Sequence, residues 1–135
     1  MKTIGIVGSR KRNASQDYEL VKTKFFELYE KGDWLCSGGC PQGGDRFAEQ
    51  IAKEYGIPIL IFYPNTKELG VQGFFVRNSE IANHSDVLIA CVSKERKGGT
   101  EDTINKFISK PRGEPDCLFV SGCSCNCGEC NLHLV

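Results

Sequence analysis

The chain has 135 residues, of which 40% are hydrophobic, enough for one globular domain with its own core and too few for a second full domain. Lys+Arg and Asp+Glu balance at 17 each, so no global basic field drives nonspecific coating of nucleic acid. No apolar run approaches the roughly 18 residues of a membrane span, and Met-Lys-Thr-Ile-Gly-Ile-Val runs straight into a strand pattern, so a soluble, cytoplasmic protein is expected.

In chain order, Thr3 to Val7 is a β-rich run that ends in the turn Gly8-Ser9-Arg10, a first candidate phosphate contact. Ser15 is expected to cap a helix whose apolar positions Tyr18, Val21, Phe25 and Leu28 follow helical spacing, and Lys31-Gly32-Asp33 ends it. A short strand, Trp34 to Ser37, then enters the stretch around which the chain is organised, Ser37-Gly-Gly-Cys-Pro-Gln-Gly-Gly-Asp-Arg46. Four glycines in seven residues allow positive φ and close approach of a ligand. The amides opening the next helix are expected to face an anion. Asp45 either caps that helix or accepts hydrogen bonds from sugar hydroxyls. The P-loop is excluded because Asp45-Arg46 stands where Lys-Ser/Thr must hold phosphate and magnesium. The dinucleotide fingerprint Gly-x-Gly-x-x-Gly is absent both here and at Gly5-Ile6-Val7-Gly8.

The helix that follows carries Phe47, Ala48, Ile51, Ala52 and Tyr55 on one face, stops at Gly56, and gives way after Pro58 to a strand over Ile59 to Tyr63. Pro64 to Gly73 reads as a surface loop long enough to fold over a ligand. A helix is expected from Phe74 to His84, with Val76, Ile81 and Phe75 as its inward candidates and Arg77-Asn78 near its start; His84 suits its C-terminal end. Val87 to Val92 is a continuous apolar run, as a strand covered on both faces must be. The basic loop Ser93 to Gly99 leads to a helix capped by Thr100, with Ile104, Phe107 and Ile108 apolar and Pro111 as its stop, and Cys117 to Val120 is a last strand.

Five alternations of strand and helix imply a three-layer, Rossmann-like α/β fold with a mostly parallel five-stranded sheet and helices on both faces. The domain is expected over residues 1–120, with a Cys-rich tail over 121–135. The glycine turns at Gly8, at Gly38 to Gly44 and at Gly98-Gly99 each follow a strand, so they share the carboxyl edge of the sheet, where such folds bind ligands.

In order and spacing, Ile4-Gly-Ile-Val-Gly-Ser-Arg10, Ser37 to Arg46, Arg77-Asn78, Ser85-Asp-Val-Leu-Ile-Ala90 and Lys97-Gly-Gly-Thr100 resemble the SLOG superfamily of Rossmann-like proteins. That superfamily includes DprA, the Lonely Guy phosphoribohydrolases and small stand-alone nucleotide-binding members, and the last group is the nearest match. The resemblance covers about Thr3 to Val120 and implies a pocket for a nucleotide or nucleotide-derived ligand, often in a homodimer. Carried over residue by residue, it suggests binding by Gly8, Ser9, Arg10, Gly38, Gly39, Gly43, Gly44, Asp45, Arg77, Asn78, Gly98, Gly99 and Thr100, with no resident cofactor required. The third motif departs from the hydrolase pattern: Thr103 stands where those enzymes carry Glu, and Glu101 lies about 200° around the helix from that position.

Three functions follow. A binding module or sensor would hold phosphate through backbone amides with Arg10 or Arg77, and ribose through Asp45 or Asn78. An N-glycosidic hydrolase acting on a nucleoside 5′-monophosphate would use Glu101 at the anomeric carbon and Arg77 on the phosphate as catalytic residues. A DprA-like single-strand binder would use Arg10, Lys11, Arg12, Lys94, Arg96 and Lys97, against the balanced overall charge.

Of the eight cysteines, Cys36, Cys40, Cys91 and Cys117 are scattered, whereas Cys123, Cys125, Cys127 and Cys130 cluster in the tail, with His133 three residues on. Soft thiolates favour zinc, copper(I) or an iron–sulfur cluster, so a small metal site is expected there; disulfides or an inert extension are the alternatives.

Overall fold

A computed structural model describes residues 1–110 and 131–135. Its elements run β1 (Thr3–Gly8), α1 (Ser15–Leu28), β2 (Trp34–Ser37), α2 (Gly44–Tyr55), β3 (Ile59–Ile61), α3 (Thr66–Leu69), α4 (Gln72–His84), β4 (Val87–Cys91), α5 (Gly99–Ser109) and β5 (Leu132–Leu134). The five strands form one sheet in the order β3-β2-β1-β4-β5, every pair parallel. The chain builds outward from β1 to β3, then crosses back to place β4 on the other side of β1. The strand order therefore reverses between β1 and β4, and a crevice opens beyond their carboxyl ends.

Period-two alternation divides two cores across this sheet. Ile4, Ile6, Leu35, Ile89 and Cys91 face α1 and α2, where they meet Tyr18, Val21, Phe25, Phe47 and Ile51. Val7, Cys36, Leu88 and Ala90 face the other way, toward Ile81, Ala82, Ile104 and Phe107 of α4 and α5. β4 is buried along its whole length, as its unbroken apolar run requires.

Three helix starts differ from expectation, each N-cap lying one or two residues earlier than the sequence suggests. Ser15 is already helical; the N-cap is Ala14, and its amide donates to Asp17 Oδ2 at 3.2 Å. The N-cap of α2 is Gly43 at φ 76°, not Asp45, and that of α5 is Gly98 at φ 98°, not Thr100. The segment expected as a loop over Pro64 to Gly73 contains α3, capped by Asn65, whose side chain accepts from the Glu68 amide at 3.3 Å. α4 then starts at Gln72 and buries Gly73, Asn78, Ile81 and Ala82. Val76, expected inward, is exposed, since it lies about 140° around the helix from Ile81. Tyr55 is also half-exposed, its ring set edge-on against Phe26 at 4.8 Å.

The strand expected at Cys117–Val120 and the helix stop at Pro111 lie outside the described residues, as do Cys123, Cys125, Cys127 and Cys130. The fifth strand that is described comes from 132–134, inside the segment assigned to the tail, and pairs Leu88 with Leu132, Ile89 with His133 and Ala90 with Leu134. Leu132 packs toward the α4–α5 core and Val135 toward the α1–α2 core, so this short Leu-His-Leu-Val run completes both faces at the edge of β4. Burial holds the His133 imidazole below its ordinary pKa, with Lys24 acting in the same direction.

Asp33, only 2% exposed, ties the turn after α1 to the start of β1. Its carboxylate accepts from the Lys2 amide at 2.9 Å, from Lys2 Nζ at 2.6 Å and from the Glu30 amide at 2.9 Å. Burial opposes its ionisation, but these bonds outweigh burial and hold the carboxyl below its ordinary value. A depressed folded pKa contributes stability that is complete above the unfolded value and is lost as pH falls through the folded one. Asp33→Asn is therefore expected to lose about 1.5–3 kcal/mol at pH 7 in urea unfolding. Its gap from the parent should close as pH drops below about 3.9.

At Gly44 a Cβ would lie 2.2 Å from the Val7 carbonyl carbon and 2.4 Å from the Gly8 nitrogen. At Gly56, where φ is 65°, a Cβ meets nothing within 4 Å. Gly44→Ala should cost about 3 kcal/mol or more in the same assay, against about 1 kcal/mol for Gly56→Ala, whose penalty is purely conformational.

Candidate functional site

A cleft of about 640 Å³ lies beyond the carboxyl ends of β1 and β4, within the range of small-molecule sites. Its walls come from four places in the sequence. The turn after β1 contributes Gly8, Ser9, Arg10 and Lys11, and the loop after β2 with the start of α2 contributes Cys40 and Asp45. From α4 come Val71, Phe74, Phe75, Arg77, Asn78 and Ile81; the approach to α5 and its first turns add Lys97, Gly98, Gly99, Thr100 and Thr103. The chain thus brings two of its three glycine turns, with Arg77 and Asn78, onto one cavity.

The central glycine stretch behaves differently from expectation. Gly38, Gly39, Gly43 and Gly44 are absent from the lining, because their missing Cβ atoms make room for protein rather than ligand. A Cβ on Gly38 would meet Arg77 Nη1 at 2.5 Å, one on Gly39 the Tyr63 ring at 2.5 Å, and one on Gly43 the Ser9 carbonyl oxygen at 2.6 Å. The Gly43 amide, expected to face an anion, donates to Asn13 Oδ1 at 2.8 Å, and Asn13 also accepts from Arg46 Nε at 2.9 Å.

Asp45, 8% exposed, sits at the bottom of this loop and gathers it. Its Oδ2 accepts from the Cys40 amide at 3.1 Å, the Ser37 hydroxyl donates to the Asp45 main-chain carbonyl at 3.5 Å, and the Gly38 amide lies on the same side of the carboxylate. Burial pushes the carboxyl above its ordinary value, against the pull of those donors and of nearby Arg77. Asp45 is therefore not the helix cap; through Oδ2 it shapes the loop that forms one wall of the cleft.

Arg77 and Asn78 join the two sides of the cleft. Arg77 Nη1 donates to the Gly38 carbonyl at 2.6 Å and its Nε to Asn78 Oδ1 at 2.9 Å, while the guanidinium lies 5.9 Å from the Phe74 ring centroid. Asn78, 3% exposed, passes the connection on by donating to Asp102 Oδ2 at 3.1 Å and to the Gly99 carbonyl at 3.4 Å. Its amide group is committed on both sides, so it orients Arg77 and braces α4 on α5 rather than presenting a free ribose contact.

The start of α5 is open to the cleft. Gly98 carries positive φ with nothing within 4 Å of its would-be Cβ, and a Cβ on Gly99 would meet only Asn78 Nδ2, at 3.8 Å. First-turn amides have no partner within their own helix, and the positive end of the dipole faces the cleft with them. Arg10 and Lys97 stand on the same side, neither within ion-pair distance of a carboxylate among the described residues.

The catalytic pair expected of a hydrolase is not assembled. Glu101 is outside the lining and receives Arg96 Nε at 2.7 Å. Thr103, where those enzymes carry the carboxylate, does line the cleft, but its hydroxyl donates to the Gly99 carbonyl at 3.0 Å. Asp45 is the sole carboxylate of the lining among the described residues. The basic set expected for single strands is also depleted: Lys11 pairs with Glu95 at 2.6 Å, Arg12 with Asp17 at 2.9 Å, and Arg96 with Glu101. His84 is elsewhere, its ring against Phe62 at 4.8 Å.

Sequence reasoning missed the aromatic wall and Cys40. Phe74 and Phe75 were legible in one respect, since adjacent helical residues diverge by about 100° and cannot both enter one core. Cys40 resembled the other scattered thiols, yet Cys36 and Cys91 are fully buried, with burial pushing each thiol up to about 11, whereas Cys40 is half-buried on the cleft. In folded protein, maleimide labelling followed by peptide mapping should modify Cys40 at least about tenfold faster than Cys36 or Cys91, because thiolate and access are both needed.

Compared with protein-family models, curated proteins and solved structures, the chain matches none.

Proposed function

We propose that this protein binds a nucleotide or nucleotide-derived phosphate ligand in the cleft, as a sensor or binding module. The observation that carries this reading is the division of one cavity into two chemically different walls. One wall offers the open N-terminus of α5 with Arg10 and Lys97, a setting for an anion with several oxygens. The other offers Val71, Phe74, Phe75 and Ile81, an apolar and aromatic surface for a planar base. Arg77 stands between them, pre-oriented by the Gly38 carbonyl and Asn78, so little side-chain entropy remains to be lost when it meets a phosphate.

Calorimetry with nucleoside mono- and diphosphates and ADP-ribose tests the reading. Arg77→Ala should weaken the best ligand by about 1.5–3 kcal/mol, roughly tenfold to a hundredfold, and Lys97→Ala by about tenfold. Phe75→Ala should weaken nucleotides while leaving inorganic phosphate unaffected. The proposal fails if no phosphorylated nucleotide binds, or if Arg77→Ala binds as well as the parent while remaining folded.

A further inference from the structure

The turn that carries Arg10 and Lys11 to the cleft is anchored at both ends. At its base the Ser9 amide donates to the Cys91 carbonyl at 2.9 Å, and the Arg12 amide closes the turn on the Ser9 carbonyl at 3.0 Å. At its far end the Arg12 side chain leaves the cleft and crosses the edge of the sheet. Its Nε meets Asp17 Oδ1 at 2.9 Å, and its Nη1 donates both to the Val92 carbonyl at 3.1 Å and to the Val135 carbonyl oxygen.

Val135 follows directly on β5. Its amide donates to the Ala90 carbonyl at 3.0 Å and its carbonyl accepts from the Val92 amide at 3.3 Å, so its position depends on β5 lying on β4. Among the described residues β5 is a three-residue edge strand with β4 as its one neighbour, and Leu134 is 45% exposed. Short edge strands with few buried contacts belong to the least stable part of a fold, and they open far more often than the core.

We propose that β5 is a docking element coupled to the cleft: seated on β4 it fixes Arg12, and through Arg12 the turn that presents Arg10 and Lys11. Strand docking and occupation of the cleft then favour each other, because a coupling between two sites is reciprocal. The coupling of docking to the turn stands without any ligand; only its extension to affinity rests on the proposed nucleotide site.

Hydrogen exchange of the full chain without ligand tests it. His133→Pro removes a ladder amide from the middle of β5 and should release the strand. The Ser9 and Arg12 amides are expected to exchange about tenfold faster in that variant, the equivalent of one charge-assisted hydrogen bond. Arg12→Ala should loosen the same two amides to a similar extent, and the double variant no further than either alone. Faster exchange in β5 with unchanged exchange at Ser9 and Arg12, or effects that add in the double variant, would overturn the proposal. Should His133→Pro fail to fold, Arg12→Ala decides alone: reciprocity requires faster exchange at Val135, and unchanged exchange there refutes the coupling. A titration with adenosine monophosphate separates the two readings. If the parent binds, both variants must bind about tenfold more weakly, and equal binding counts against the coupling. A parent that binds no nucleotide removes the proposed function, while the exchange data still decide the coupling.

Discussion

The contact of Gly44 with the backbone of Val7 and Gly8 is the constraint on which the rest of this structure depends. A helix can start this close to a neighbouring strand only if its first residue has no Cβ, and here the would-be atom lies 2.2 Å from the Val7 carbonyl carbon, far inside van der Waals contact. The close approach sets the height of α2 on the sheet and forces Gly43 against the Ser9 carbonyl. It thereby locks the loop after β2 to the turn after β1. From that lock follow the position of Asp45 beneath the loop, the capture of the Gly43 amide by Asn13, and the open space left on the α5 side.

Polar side chains buried between elements then convert this packing into a defined cavity. Asp45 gathers the loop after β2, Arg77 ties that loop to α4, and Asn78 ties Arg77 to the first turns of α5. Each of these groups would be costly to bury alone, and each finds its partner in the next, so the chain of bonds stands or falls together. The arrangement also explains why the cleft is chemically asymmetric. On the α2 side the Cys40 and Gly43 amides are already engaged within the protein, whereas Arg10, Lys97 and the amides opening α5 remain available.

Basic residues near the cleft divide in the same way. Lys11, Arg12 and Arg96 meet Glu95, Asp17 and Glu101, and these pairs join loops rather than build a continuous positive surface. Pairs with one or both partners in solvent add little stability, but they restrict where a loop goes. Arg12, whose pair with Asp17 is mostly buried, goes furthest, reaching from a cleft turn to the strand that closes the other edge of the β1–β4 half of the sheet.

How much was legible in the sequence followed from the range of the forces involved. Local periodicity and the punctuation by glycine and proline determined the alternation of strands and helices, the apolar β4, the parallel sheet and the gathering of glycine turns at one edge, because each depends on residues a few positions apart. The same local signals could not say which amide a given side chain would satisfy. Asp45, Ser15 and Thr100 all carry capping chemistry, yet the caps are Gly43, Ala14 and Gly98. For α2 that outcome was decided by tertiary neighbours: Asn13, 30 positions from Gly43, takes its amide, and burial turns Asp45 into the organiser of its own loop. Four glycines in a row of seven announced a close approach but not its partner, and only the packed structure assigned them to strand, ring and guanidinium instead of ligand. The edge strand is the extreme case, since Leu132–Leu134 is too short to carry a signal and becomes a strand only because β4 offers it an unpaired edge and two cores to complete.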